Sequence, residues 1–361
     1  MPKEDRRIAG NLVSLYQIDP LQDPRWVEFL ERHVRASVYH LPGWLEALRR
    51  TYGYECFVLT TSPPDAPLTN GLPVCRVRSW LTGNRLVSLP FSDHCDPLVD
   101  HPEELAEILS FLAEEVSRGN WDYAEIRPEG QSVDEPGSAC GFRPSQTFSA
   151  HRIDLSPSAE ALFAQFQKSG VQRKIRRAER EGLQYEQGRS ELLLAKLFRL
   201  LQLTRRRHGL PPQPVAWFRN LIECLGDKVT LHIASHEGQS IAGILTISFK
   251  KTLIYKYGGS DARHHNLGGM PFLFWQAIQQ AKAMGLEELD LGRSDLEDVG
   301  LIDFKRHLGA ASSTLVYHRF SASRTAPSPS GWKLRAAKRV FSLMPGPVLS
   351  LAGKLLYRHF G

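Results

Sequence analysis

No acidic residue follows Asp303. The last 58 residues carry ten Lys or Arg and no Asp or Glu, whereas residues 1–303 hold 35 basic against 39 acidic groups. The net charge of +6 therefore belongs to the tail, which suits an anionic membrane or nucleic-acid surface and says nothing of the fold. Long apolar runs are missing too: none approaches the roughly 20 residues that cross a bilayer, and the opening MPKEDRR lacks the apolar core of a signal peptide. A cytoplasmic location is expected. Cysteine is scarce, five in 361 residues. Cys56, Cys75, Cys95, Cys140 and Cys224 never fall into a CxxC spacing, so neither a zinc knuckle nor a disulfide framework is expected, and the thiols read as reduced and mostly buried. No metal, flavin or nicotinamide signature is present.

What is present is an ordinary globular balance, 42% hydrophobic and 23% charged, in a chain long enough for two core-bearing domains. Apolar residues at three- and four-residue intervals predict helices over 24–35, 41–52 and 102–118, the last with Leu105, Ile108, Leu109, Leu112 and Val116 on one stripe. Short β-rich runs at 56–61, 72–78, 85–89 and 121–127 alternate with them. Residues 131–145 read as an exposed connection. The second half predicts helices over 158–181, 190–208, 214–225, 271–284 and 299–308. Its strands are 147–155, 229–235, 240–249, 252–258, 288–291 and 313–320. The short links at Glu237-Gly238 and Lys250-Lys251 make three of these an antiparallel meander. The expected division is 1–155, 156–320, a Ser/Pro-rich linker at 321–331 and a basic tail at 332–361.

Two segments combine aromatic, glycine and charged residues: YKYGGSD at 255–261 and GLIDFKRHLGA at 300–310. An aromatic strand ending in a Gly-Ser turn, a glycine-containing helix start and a GLxxFKxxxGA element together resemble the Fem branch of the GNAT-fold acyltransferases. The segment SLPFSDHCDPLVD at 88–100 resembles that family's first-domain cleft loop, and the basic run around 168–180 resembles one of its helices. The likeness spans roughly residues 35–320. It implies an α/β (α+β) chain of two tandem GNAT-like domains with mixed, largely antiparallel sheets. It also implies N-acyl transfer to an amine of a cell-envelope or exopolysaccharide precursor, with acyl-CoA or aminoacyl-tRNA as donor.

The resemblance places Lys305, of the Phe304-Lys305 pair, as the cation that stabilises a tetrahedral oxyanion. Asp303 is its candidate partner. Tyr255 and Tyr257 alternate along one strand, so they are expected on one face, where their hydroxyls can meet a donor. Asp93, with Asp96 nearby, is a candidate base for the incoming ammonium. The run Arg263-His264-His265-Asn266-Leu267-Gly268-Gly269 matches the family's pyrophosphate loop except for Asn266, which stands where a glycine belongs. Arg263, Asn266, Gly268 and Gly269 are the candidate donor-binding residues, at a helix N-terminus suited to anions.

Between Lys168 and Arg180 six basic residues face one acid. Val171, Ile175 and Ala178 form an apolar helix face there, leaving Arg173, Arg176 and Arg177 for an anionic, phosphate-bearing acceptor or tRNA. Beyond the linker, residues 332–361 mix large apolar side chains with six Lys or Arg. Such a segment fits either a peripheral membrane contact or helices docked on the protein's own body. The competing class of function is a non-catalytic GNAT-like module that binds membrane or nucleic acid.

Overall fold

The computed structural model describes residues 14–322, 341 and 346–360; residues 323–340 of the expected linker and tail lie outside them. The chain divides into two compact units. Unit 1 runs to Thr147, resumes at Leu315 and includes the chain from Leu356; unit 2 runs from Phe148 to Thr314 and includes the C-terminal helix up to Leu355.

In unit 1, strand β1 (Tyr16–Ile18) precedes helices α1 (Pro24–Arg32) and α2 (Pro42–Tyr52). Strands β2 (Glu55–Thr60), β3 (Leu72–Val77) and β4 (Arg85–Val87) follow, then α3 (Pro102–Ser117), β5 (Tyr123–Ile126) and α4 (Asp134–Ala139). The expected stripe of α3 is buried against Phe57, Val74 and Leu86 of the sheet. The segment 131–145, expected as a loop, instead carries α4 and the first residues of β6 (Arg143–Asp154).

In unit 2, β6 leads to α5 (Ala159–Gln165) and α6 (Arg173–Arg180). A single helix over 158–181 is thus corrected. Phe166 turns extended and packs between Phe163 and Trp275, and a π turn over 168–172 restarts the chain; the Gln172 side chain donates to the Phe166 carbonyl at 2.8 Å. Next come β7 (Gln184–Gly188), α7 (Glu191–Arg207) and α8 (Val215–Leu225). Strands β8 (Val229–His236), β9 (Gln239–Phe249) and β10 (Thr252–Ser260) form the antiparallel meander. Helix α9 (Gly269–Ala283), β11 (Glu288–Asp295) and α10 (Val299–His307) complete the unit. Strand β12 (Ala311–Phe320) then returns to unit 1, where it pairs with β5. Strands β1 and β7 have no counterpart in the sequence reading, being short and polar.

The two units share one pairing scheme. From β1 to β4 the neighbours are antiparallel, β4 and β5 are parallel across α3, and β12 is antiparallel to β5. From β7 to β10 the neighbours are antiparallel, β10 and β11 are parallel across α9, and β6 is antiparallel to β11. This tandem mixed fold is the expected class. The core of unit 2 gathers Ile153, Ile175, Ala178, Ile244, Leu273, Phe274, Ile278 and Leu289.

One further correction follows from packing. Cys56 and Cys75 are not reduced thiols: the β2–β3 register sets them directly opposite one another, and they form a disulfide. Their separation of 19 residues matches no motif, because strand register made the pair. Among the described residues, Cys95, Cys140 and Cys224 are in no disulfide. The described part of the tail also packs on protein. Helix α11 (Gly346–Leu356) buries Leu349 and holds Ser350 to Gln202 of unit 2 at 2.9 Å, while Val348, Leu351 and Leu355 stay exposed.

Candidate functional site

The parallel pair of unit 2 sets the geometry. Strands β10 and β11 pair only at Thr252↔Glu288, Leu253↔Leu289 and Ile254↔Asp290, although both continue for several residues. Each bulges at the point of parting, β10 between Tyr255 and Tyr257 and β11 between Asp290 and Arg293. Bulges re-aim side chains and end pairing. Gly292, at φ 68°, carries the second one.

Lys305 fills the space under that bulge. It lies in the last turn of α10 yet is only 2% exposed, and its Nζ donates to the carbonyls of Gly292 (2.9 Å) and Arg293 (3.1 Å). It is therefore a buried, oriented cation and not a solvent-facing lysine. Helix α10 is started by Asp298, whose carboxylate accepts from the Leu301 amide at 3.1 Å. Asp303 points the other way, part-exposed, and pairs with Arg306 at 2.7 Å.

Two residues that the sequence reading passed over stand beside Lys305. Asp290 is buried; its carboxylate accepts from the Gly292 amide at 2.7 Å and lies 3.8 Å from Arg152. His151, on β6, is 1% exposed, and neither ring nitrogen has a hydrogen-bond partner among the described residues. Burial, and then the Lys305 charge, push its pKa down to about 4. The signal was legible: His151, Ile153 and Leu155 share one face of an alternating strand, and a polar residue on an inward face marks a special position.

The tyrosines do not share a face, which corrects the alternation argument. Consecutive residues Ala242 and Gly243 of β9 face α9 and α7 respectively, so these helices cover opposite sides of the sheet. Tyr255 packs on Phe274 of α9 at 4.8 Å, whereas Tyr257 packs on Phe218 of α8 at 5.0 Å and its hydroxyl accepts from Trp217 Nε1 at 2.8 Å. The extra residue in the bulge, Lys256, breaks the period of two.

The turn into α9 is built by glycine. Gly268 sits at φ 79°, and a Cβ there would lie 2.5 Å from the Lys174 carbonyl of α6, so both conformation and space require glycine. Gly269 opens the helix against Ala242. Asn266 has no positive φ, so no glycine is needed at that position. Arg263 is engaged by Asp261, with contacts of 2.7 and 3.1 Å; that hydrogen-bonded guanidinium holds the Asp261 pKa at about 2. On the π turn and α6, Val171, Ile175 and Ala178 are buried as expected, while Arg173, Lys174, Arg176 and Arg180 are exposed. Arg177 pairs with Glu181 at 3.4 Å.

In unit 1 the loop at 88–100 leaves β4 through two strained positions, Leu89 (φ 90°) and Phe91 (φ 60°). Asp93 accepts from the Tyr39 hydroxyl at 3.0 Å. Asp96 is buried and accepts from the Glu129 amide at 2.6 Å. His40 lies 3.5 Å from the Cys95 sulfur. Burial raises the Cys95 thiol well above its ordinary range and lowers His40 to about 4, so this pair is neutral near pH 7 and supplies no thiolate.

Three buried imidazoles give a pH prediction. His40, His151 and His232 each fall to about 4, with burial the first cause, whereas unfolded histidine titrates near 6.5. Between these values the unfolded chain binds more protons, so stability is full above about pH 6.5 and declines as pH falls toward 4. A loss of about 2 kcal/mol per fully buried imidazole is expected at pH 5 relative to pH 7.5. Urea unfolding at the two pH values checks this, and equal midpoints contradict the neutral, buried assignment.

Residues 165–306 match the family model described as an acetyltransferase (GNAT) domain. Among solved structures, FemX resembles the chain with a TM-score of 0.68 at 13% identity, over 84% of this chain and 97% of FemX. L-PGS from Bacillus licheniformis does so with 0.56 at 15% identity, over 89% and 97%. A tandem GNAT protein from the clavulanic acid biosynthesis pathway reaches 0.56 at 10% identity, over 86% and 99%. Likeness at such identities is likeness of fold. No curated protein matches the chain.

Proposed function

We propose that this chain, whose residues 165–306 match a GNAT acetyltransferase domain, is a FemAB-like acyltransferase that transfers an acyl group to an amine on a phosphate-bearing cell-envelope or exopolysaccharide precursor. The observation that carries the reading is Lys305, a buried cation held where β10 and β11 part. The amine nitrogen attacks the donor carbonyl carbon. A C–N bond forms, the bond to the donor's thioester sulfur or ribose oxygen breaks, the amine loses a proton and the leaving atom takes one up. Negative charge gathers on the carbonyl oxygen in between, and a preorganised cation in a dry site stabilises it.

Lys305 is the charge-stabilising residue of this scheme, with Asp290 and His151 fixing its surroundings. The exposed cations of α6, Arg173 and Arg176 with Lys174, are the phosphate-holding candidates for the acceptor. The Gly268-Gly269 helix start is the donor-side candidate, where the first amides of a 15-residue helix face an anion. Tyr255 and Tyr257 flank the point where the strands part from opposite faces of the sheet, so at most one of them lines the site, and Asp93 stays the unit-1 candidate base. Asp303, paired with Arg306, acts as a charge partner.

The donor is an acyl-CoA or an aminoacyl-tRNA. Work at the inner face of the membrane, as a peripheral protein, fits the acceptor class; among the described residues no helix is long and apolar enough to cross a membrane. Titrating the protein with coenzyme A thioesters and, separately, with charged tRNA identifies the donor. One of the two is expected to saturate, more weakly in R173E/R176E if it is the tRNA. Binding of neither removes the acyl-transfer reading.

A further inference from the structure

A polar cavity lies in unit 1, outside the transfer scheme. It has a volume of about 120 Å³ and is lined by Tyr52, Tyr54, Glu55, Arg76, Arg78 and Arg358. Local sequence builds it. Gly53 ends α2 in the left-handed region at φ 73°, and the turn stacks Tyr52 on Tyr54 with centroids 5.5 Å apart. Arg76 lies in β3 and Arg78 follows two residues on, so both side chains leave the chain on one side. Arg76 spreads over the Phe57 ring at 4.1 Å and Arg78 over Trp121 at 5.6 Å, which holds both guanidinium planes in place.

The third arginine comes from the C-terminus. The turn Tyr357–His359 is anchored in unit 1 by several hydrogen bonds. Tyr54 donates to the Arg358 carbonyl at 3.0 Å, Arg85 donates to the His359 carbonyl at 2.8 Å, and Thr82 donates to that same carbonyl. The buried His359 ring meets Ser79 at 3.0 Å. So firm a seat for the last residues fixes the backbone from which Arg358 reaches the cavity.

Charge in the cavity is unbalanced. Its one carboxylate, Glu55, is 68% exposed and stands 3.9 Å from Arg76, a distance and exposure at which an ion pair contributes little. Burial, opposed in part by Glu55 and more weakly by Glu115, lowers the Arg76 pKa, and the neighbouring Arg78 adds to the effect. Three guanidinium groups around one small space form a bidentate-capable anion seat. Its size suits a phosphate group and not a whole nucleotide. Beside it, Trp80 is 85% exposed, and Leu81 and Phe360 are exposed too.

We infer that the cavity formed by Arg76, Arg78 and Arg358 with Tyr52 and Tyr54 is a binding site for a phosphate group, carried either by an anionic lipid headgroup or by a soluble phosphate. The inference deepens the phosphate-bearing and membrane part of the proposed function. It is measured without donor, acceptor or turnover, so its failure leaves the transfer reading standing, and failed transfer leaves this site standing.

The experiment uses the full chain with two probes. Inorganic phosphate is titrated by calorimetry, and vesicles of phosphatidylglycerol are compared with vesicles of phosphatidylcholine by co-sedimentation. Binding of phosphatidylglycerol vesicles alone identifies a lipid source, and binding of free phosphate a soluble one. In either case R76Q/R78Q is expected to weaken binding at least tenfold. The exposed variant R358Q, which disturbs no core contact, is expected to weaken it severalfold. Absence of binding to both probes overturns the site, as does wild-type binding by R358Q and by a folded R76Q/R78Q.

Discussion

Replacing Lys305 by alanine is expected to lower kcat and kcat/KM together by 10²–10³-fold, the range seen when one charge-stabilising group is removed from an acyl-transfer site. The equal fall matters, because a contact made only in the transition state leaves KM unchanged. A purely structural lysine predicts a different result. Its loss strands the carbonyls of Gly292 and Arg293, which accept from Nζ at 2.9 and 3.1 Å, at a cost of about 1–3 kcal/mol for each unsatisfied buried group. The fold would weaken, but the protein still folded would turn over normally. Measuring kcat per folded molecule, well below the unfolding midpoint, separates the two. Lys305→Met fills most of the space without the charge and is expected to lose as much activity as Lys305→Ala. Near-normal turnover in folded Lys305→Met removes the residue from the chemistry.

Replacing Gly268 by alanine is expected to destabilise the protein by about 3 kcal/mol. A non-glycine residue in the left-handed region costs roughly 1–2 kcal/mol, and here the new Cβ would stand 2.5 Å from the Lys174 carbonyl. Relief requires moving the backbone of α6 away from the start of α9, which carries the exposed arginines with it. Gly285→Ala is the internal control. Gly285 has φ 70° but nothing within 4 Å of its Cβ, so only the conformational part, about 1 kcal/mol, is expected. Denaturant midpoints for the two variants test the difference. Equal losses would mean that the contact with α6 gives way without cost, and that the turn is held by conformation alone.

Much of the fold was legible because it rests on local periodicity. The stripe of α3, the meander of β8 to β10 and the buried face of Val171, Ile175 and Ala178 all follow from spacing alone. Where the reading failed, a nonlocal contact had overridden the pattern. A buried Phe166 broke the helix expected over 158–181. A bulge at Lys256 separated two tyrosines that strict alternation had put together. The register of β2 on β3 paired cysteines whose sequence spacing carries no signal.

The candidate site divides in the same way. Residue type and order by themselves determined that a Phe-Lys pair follows a glycine-rich helix start, that arginines crowd one helix and that acidic groups end at Asp303. These are chemical identities, and a chain cannot hide them. Only the tertiary structure decided what surrounds each charge. It buried Lys305 against two carbonyls and set beside it Asp290 and a His151 whose ring has no hydrogen-bond partner among the described residues. It gave Arg263 to Asp261, and brought Arg358 from the chain's end to Arg76 and Arg78. The reason is physical: a charge acts through its distance to other groups and the dielectric around it, and both depend on residues remote in sequence.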